Sequence, residues 1–238
     1  MSSRRVRAIF AKELREYRHN GNIIFSMAIF PVVFLIQPLV SIFTVPTSAS
    51  ATLRHEHSLV YMLAIPALVP AALAAYAVVG ERIQGTLEPI LATPVSREEL
   101  LLGKALAAFV PSVAVSYCVY AVFIAVVEAF AKPGIASALV QAPDLLAQVL
   151  FTPLLAAVSI WVGIAMSARC SDPRTAAQLS ILVSLPSVAV TSLVAFNVIP
   201  ATFPVALFFG VGLLILTRVG WRVASATFDR ERLIISTD

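Results

Sequence analysis

The chain alternates between long apolar stretches and short charged ones. Five stretches hold no Asp, Glu, Lys or Arg: 22–53, 58–80, 105–127, 145–168 and 175–217. A bilayer crossing needs about 20 apolar residues, so each of the first four stretches supplies one crossing and the fifth supplies two. A charge at mid-bilayer costs on the order of 3 kcal/mol, so runs of this length are what spanning helices require. The pattern predicts an all-α membrane protein with six transmembrane helices.

No charge divides 175–217, and the break between the fifth and sixth spans is placed at Asn197, Pro200 and Pro204, because proline removes helix hydrogen bonds. With six crossings both termini lie on one side. Fifteen of the basic residues then share that side, among them Arg4, Arg82, Arg97, Lys104, Arg169, Arg174, Arg218 and Arg230, whereas Arg54 and Lys132 face the other. This positive-inside bias places both termini in the cytoplasm and the chain in the cytoplasmic membrane. Ahead of the first span, Val6, Ile9, Phe10, Leu14 and Tyr17 recur at helical spacing beside Arg5, Lys12, Arg15 and Arg18. Residues 1–21 therefore read as an amphipathic helix lying in the membrane interface, apolar side down. Residues 22–220 form the six-helix transmembrane domain, and 221–238 a cytoplasmic tail.

Composition agrees: 59% of residues are hydrophobic, 13% are charged and mean hydropathy is +0.91, against about 25% charged in a soluble domain. The net charge of +4 sits at membrane flanks, which points to orientation and away from nucleic acid. Cys118 and Cys170 offer neither a disulfide framework nor metal spacing and read as packing residues. The small residues at 47–51 resemble a signal cleavage site, but the preceding run is span-length and its leader contains Glu13 and Glu16. The first helix is expected to be retained.

The most polar internal stretch, 81–104, separates the second and third spans. Gly85 can leave helical geometry, Thr86 can cap a new helix and Pro89 fits its first turn, predicting a short helix over 87–92. Pro94 stops it, and Ser96 with Glu99 has the spacing of a capping box that starts the next helix. Leu87, Ile90 and Leu91 fall on one side of the short element. These residues, in the order Glu81-Arg82, Gly85-Thr86-Leu87-Glu88, Thr93-Pro94-Val95-Ser96, Glu99-Leu100 and Gly103-Lys104, resemble the cytoplasmic motif of ABC-2 type permeases, the membrane subunits of ATP-binding-cassette exporters. The hydrophobic layout is similar over nearly the whole length.

The resemblance implies ABC-2 permease architecture. It also implies that 81–104 is a coupling segment docking on a separate ATPase subunit through Glu81, Arg82, Gly85, Thr86, Leu87, Glu88, Ile90, Leu91 and Pro94. Apolar Leu87, Ile90 and Leu91 would anchor in a groove, with Glu81, Arg82, Glu88, Arg97 and Glu98 pairing around its rim. It implies a second permease chain, as homodimer or heterodimer, with substrate moving between the two.

No Gly-x-x-x-x-Gly-Lys-Ser/Thr phosphate loop occurs, so ATP and Mg²⁺ belong to the partner ATPase. The chain is expected to bind no cofactor and to be no enzyme; hydrolase and protease motifs are missing too. Gln37, Glu128 and Asn197 are the candidates for a substrate path. His55 and His57 flank Glu56 in the first external loop, a weak metal pattern lacking a third ligand, and no metal is expected. Two other functions fit the hydropathy alone: an ion-coupled secondary transporter, disfavoured because no span centre holds an acidic residue, and a membrane anchor that transports nothing.

Overall fold

The structure, a computed structural model, describes residues 2–46, 55, 57–86 and 95–227. Among these the helices are α1 (Ser3–His19), α2 (Gly21–Thr44), α3 (Ser58–Tyr61), α4 (Ala64–Ala74), α5 (Val79–Ile83), α6 (Arg97–Phe130), α7 (Pro133–Leu139), α8 (Ala142–Arg169), α9 (Pro173–Ala195) and α10 (Phe203–Thr227). Among the described residues, six stretches are long and apolar enough to cross a membrane: Ile23–Thr44, Ser58–Ile83, Arg97–Phe130, Pro133–Arg169, Pro173–Ala195 and Phe203–Thr227. The protein is an all-α membrane protein with the six spans that its charge-free runs predict.

The second span is the axis of the bundle: 94% of its most apolar window is buried, against 6% for the sixth. It packs against α2, α6, α8 and α9, while α10 leans on the outer side of α8. Pro66 and Pro70 lie in this central span, and its helical run is broken between α3 and α4 and again between α4 and α5. Inside a bilayer no water can satisfy the backbone groups such breaks release, so neighbouring side chains must. Ser167 Oγ of α8 accepts from the Val78 and Val79 amides at 2.9 and 3.0 Å. Ser159 Oγ donates to the Ala67 carbonyl at 2.7 Å, Tyr120 Oη to the Met62 carbonyl at 3.3 Å, and Gln148 Nε2 to the Leu59 carbonyl.

Small residues set the closest helix approaches. A Cβ on Gly163 would lie 2.6 Å from Ala74 Cβ, so α8 meets the central span backbone to backbone there. One on Gly220 would lie 2.7 Å from Trp161 Cβ, and beside it the Trp161 and Trp221 rings meet edge to face with centroids 4.9 Å apart.

Between the fifth and sixth spans the break falls where Asn197 and Pro200 predict it. Asn197 has φ +56°, its amide donates to the Val194 carbonyl, and the Val198 amide donates to the Leu193 carbonyl. That pairing ends α9 with a left-handed residue at the position where glycine or asparagine is favoured.

Candidate functional site

Three elements converge at one end of the bundle: α1, the end of the second span at α5, and the first turns of α6. α5 ends in the same hydrogen-bond pattern as α9. Gly85, at φ +67°, donates its amide to the Arg82 carbonyl, and the Thr86 amide donates to the Glu81 carbonyl at 3.0 Å. On the far side of the polar segment, Ser96 Oγ accepts from the Glu99 amide while Glu99 Oε2 accepts from the Ser96 amide, the predicted capping box. Leu87, Glu88, Ile90, Leu91 and Pro94, with the short helix predicted over 87–92, lie outside the described residues.

Between these ends sits a buried charge cluster. Lys104, 1% exposed, donates to Glu13 Oε1 of α1 at 2.7 Å and lies 2.8 Å from Glu81 Oε1 of α5. Lys12 donates to Glu81 Oε1 at 2.8 Å and reaches Glu16 at 3.1 Å. Burial pushes the Glu13 carboxyl above its ordinary value and Glu81 adds to this, against the opposing pull of Lys104 and Lys12. Burial opposes the charge on Lys12, yet its bonds to the carboxylates hold its ammonium above the ordinary value. Tyr17, one helical turn beyond Glu13, is raised well above the usual phenol range by burial and then by Glu13, Glu16 and Glu81.

A second contact fastens the start of α1. Glu99 accepts from the Ser2 amide at 2.6 Å and from Arg5 at 3.4 Å. Between the two attachments, Gly103 lets α1 approach: a Cβ there would lie 2.6 Å from Ile9 Cγ2. The N-terminal segment is helical over Ser3–His19, and Ile9 and Phe10 are half-buried against the core. Glu13 lies on the same face and is buried against the Lys104 ammonium, as a buried carboxylate requires a cation.

Glu81 is likewise placed differently from the rim position its sequence suggests. It is 3% exposed and held inside the chain by Lys104 and Lys12. Arg82 turns back to the Cys170 carbonyl at 3.1 Å, joining α5 to the end of α8. Gly85 and Thr86 serve as the stop of α5, so these four residues shape the root of the polar segment.

The three candidate path residues do not converge. Glu128 is exposed near the end of α6, Asn197 is the exposed stop of α9, and Gln37 is half-buried in α2 with Oε1 unpartnered. At the opposite end of the bundle, His57 Nδ1 lies 2.7 Å from Asp144 Oδ1 of α8, a pairing across 87 residues. No sequence pattern marks it, although a carboxylate in the first turn of a helix is a common signal.

Six spans, with a polar segment rooted on charge-paired helix ends, define a multi-pass membrane protein. The profile of the ABC-2 family transporter proteins matches residues 7–213, and the chain belongs to that family. It is a membrane permease component of an ABC transporter. A comparison with curated proteins found no match.

Proposed function

We propose that this chain is the permease of an exporter in which a separate ATPase subunit, carrying ATP and Mg²⁺, drives substrate out across the cytoplasmic membrane. The observation that carries this reading is the clamp at the root of 86–95, where Lys104 ties the second span, the third span and α1 into one unit. A push on the segment between α5 and α6 would move all three together. Rigid transmission of this kind suits a device driven from outside the bilayer.

Glu81, Arg82, Gly85 and Thr86 then act as positioning residues, while Leu87, Glu88, Ile90, Leu91 and Pro94 make the docking contact. The positive-inside bias puts this end and both termini in the cytoplasm. A second permease chain completes the path, and the exposed faces of α2 and α10, with Phe43 and Phe208 uncovered, are available to lipid or to that chain. In this setting α1 lies along the inner membrane surface. The test is reconstitution in liposomes with and without a partner ABC ATPase subunit. ATP-dependent efflux that needs both chains supports the reading; efflux by this chain alone, or driven by an ion gradient, refutes it.

A further inference from the structure

A cavity of about 350 Å³ opens where α1 turns into α2, bounded by Glu13, Glu16 and Tyr17 of α1, Ile23 of α2, and Tyr76 and Glu81 of the second span. None of its described lining residues is a lysine or arginine. The lining is rich in acid: Glu13, Glu16 and Glu81 supply three carboxyl groups beside His19, and among the described residues Lys12 and Lys104 are their ammonium partners.

Two buried polar atoms in the lining point the same way. Tyr17 Oη and Glu81 Oε2 have no hydrogen-bond partner, and their residues are 6% and 3% exposed. Buried polar atoms are nearly always partnered, so two orphans on one cavity call for an explanation. A cation in the cavity would pair with the free carboxylate oxygen, and the phenol oxygen is a second acceptor on the same lining. Part of the remaining lining suits an apolar body, since Ile23 is aliphatic and Tyr76 is an aromatic of the kind that attracts cations, beside the polar His19, Asn20 and Gln84.

We propose that this cavity binds a free organic monocation with an apolar body, such as a protonated or quaternary amine. A zwitterionic lipid headgroup fits less well, because its phosphate would face the same carboxylates. As the place where the exporter takes up cargo, the site rests on the reading above. As a binding site it does not, since its geometry involves neither ATPase nor orientation.

The test uses the full chain in dodecyl maltoside, titrated calorimetrically with benzyltrimethylammonium. Its neutral isostere neopentylbenzene, sodium chloride and phosphatidylethanolamine serve as comparisons. We expect the cation to bind at one site and neopentylbenzene not to bind. Losing a hydrogen bond or ion pair to a charged group costs about tenfold in affinity or more. Glu16→Gln, which keeps side-chain volume and removes a charge, is expected to weaken binding by that factor; Tyr17→Phe, which removes the phenol dipole but no hydrogen bond to this quaternary cation, is expected to weaken it by a smaller factor. Tyr17→Phe keeps the ring in place, so the result does not depend on a variant that unfolds. Equal binding by both variants or by the neutral isostere overturns the proposal. Displacement by sodium at equal concentration, or by phosphatidylethanolamine, overturns it by assigning the site to an inorganic ion or a lipid. Because no ATPase is present, loss of ATP-driven efflux in the reconstitution leaves this result intact, and the reverse also holds.

Discussion

Lys104 Nζ lies 2.7 Å from Glu13 Oε1, joining two residues 91 positions apart at a site with almost no access to solvent. With Glu81 on its other side, the ammonium is the pivot on which α1 and the second span meet the third. Removing one member of a buried charge cluster leaves the others uncompensated, at a cost of about 3–5 kcal/mol. Lys104→Met is therefore expected to lower thermal stability sharply in detergent and to expose α1 to protease. Lys104→Met with Glu13→Gln and Glu81→Gln should recover part of the loss. Equal stability of Lys104→Met and wild type would show that the cluster holds nothing together.

Gly103 and Ile9 set how closely α1 can approach. A side chain at 103 collides with Ile9 at 2.6 Å, and overpacking of this kind costs about 1–3 kcal/mol. Gly103→Ala is expected to loosen α1, seen as faster amide hydrogen exchange over 3–19. Adding Ile9→Ala should restore protection by clearing the space, an outcome that loss of backbone freedom alone would not give.

The spans, the break at Asn197 and the capping box at Ser96 and Glu99 were legible in the sequence because each rests on a local rule. A charge-free run, a left-handed asparagine beside prolines, and a serine three residues before a glutamate all lie within one turn or one span. The clamp was not, since Lys104 and Glu13 share no local pattern. The available sign was Glu13 itself, which falls on the apolar stripe of Val6, Ile9, Phe10 and Tyr17. A carboxylate on such a stripe means a distant cation. The pairing of His57 with Asp144 was hidden for the same reason, as was the central place of the second span, whose composition differs little from that of the others.

pH separates the contribution of Glu13 from its neighbours. Burial, helped by Glu81, raises its carboxyl above the ordinary 4.5 although Lys104 and Lys12 pull it down. A carboxyl that is raised in the folded state favours folding most when protonated. Its contribution is thus largest below 4.5 and is lost as pH rises from there through the raised folded value. The stability difference between wild type and Glu13→Gln should shift against wild type over that interval and stay flat above it. A difference that moves the other way would contradict the burial assigned to Glu13.

His57 and Asp144 tie the start of the second span to the start of α8, with Asp144 2% exposed. Breaking a buried bond of this kind costs about 1–3 kcal/mol. His57→Ala is expected to destabilise the chain by that amount, as is Asp144→Ala, and the double variant should be little worse than either single one. Additive losses would mean that the two side chains act separately.

Asn197 was a candidate for the substrate path, and its geometry makes it the stop of α9. The two roles predict different outcomes for the same change. Glycine adopts a positive φ without strain, so Asn197→Gly should leave both stability and transport near wild type. A β-branched residue is strained at φ +56°, by about 1–3 kcal/mol, so Asn197→Val should lower the melting temperature. If the side-chain amide contacts cargo instead, Asn197→Gly must lose transport while keeping its stability. A transport assay beside a melting curve on these two variants decides between a turn and a path.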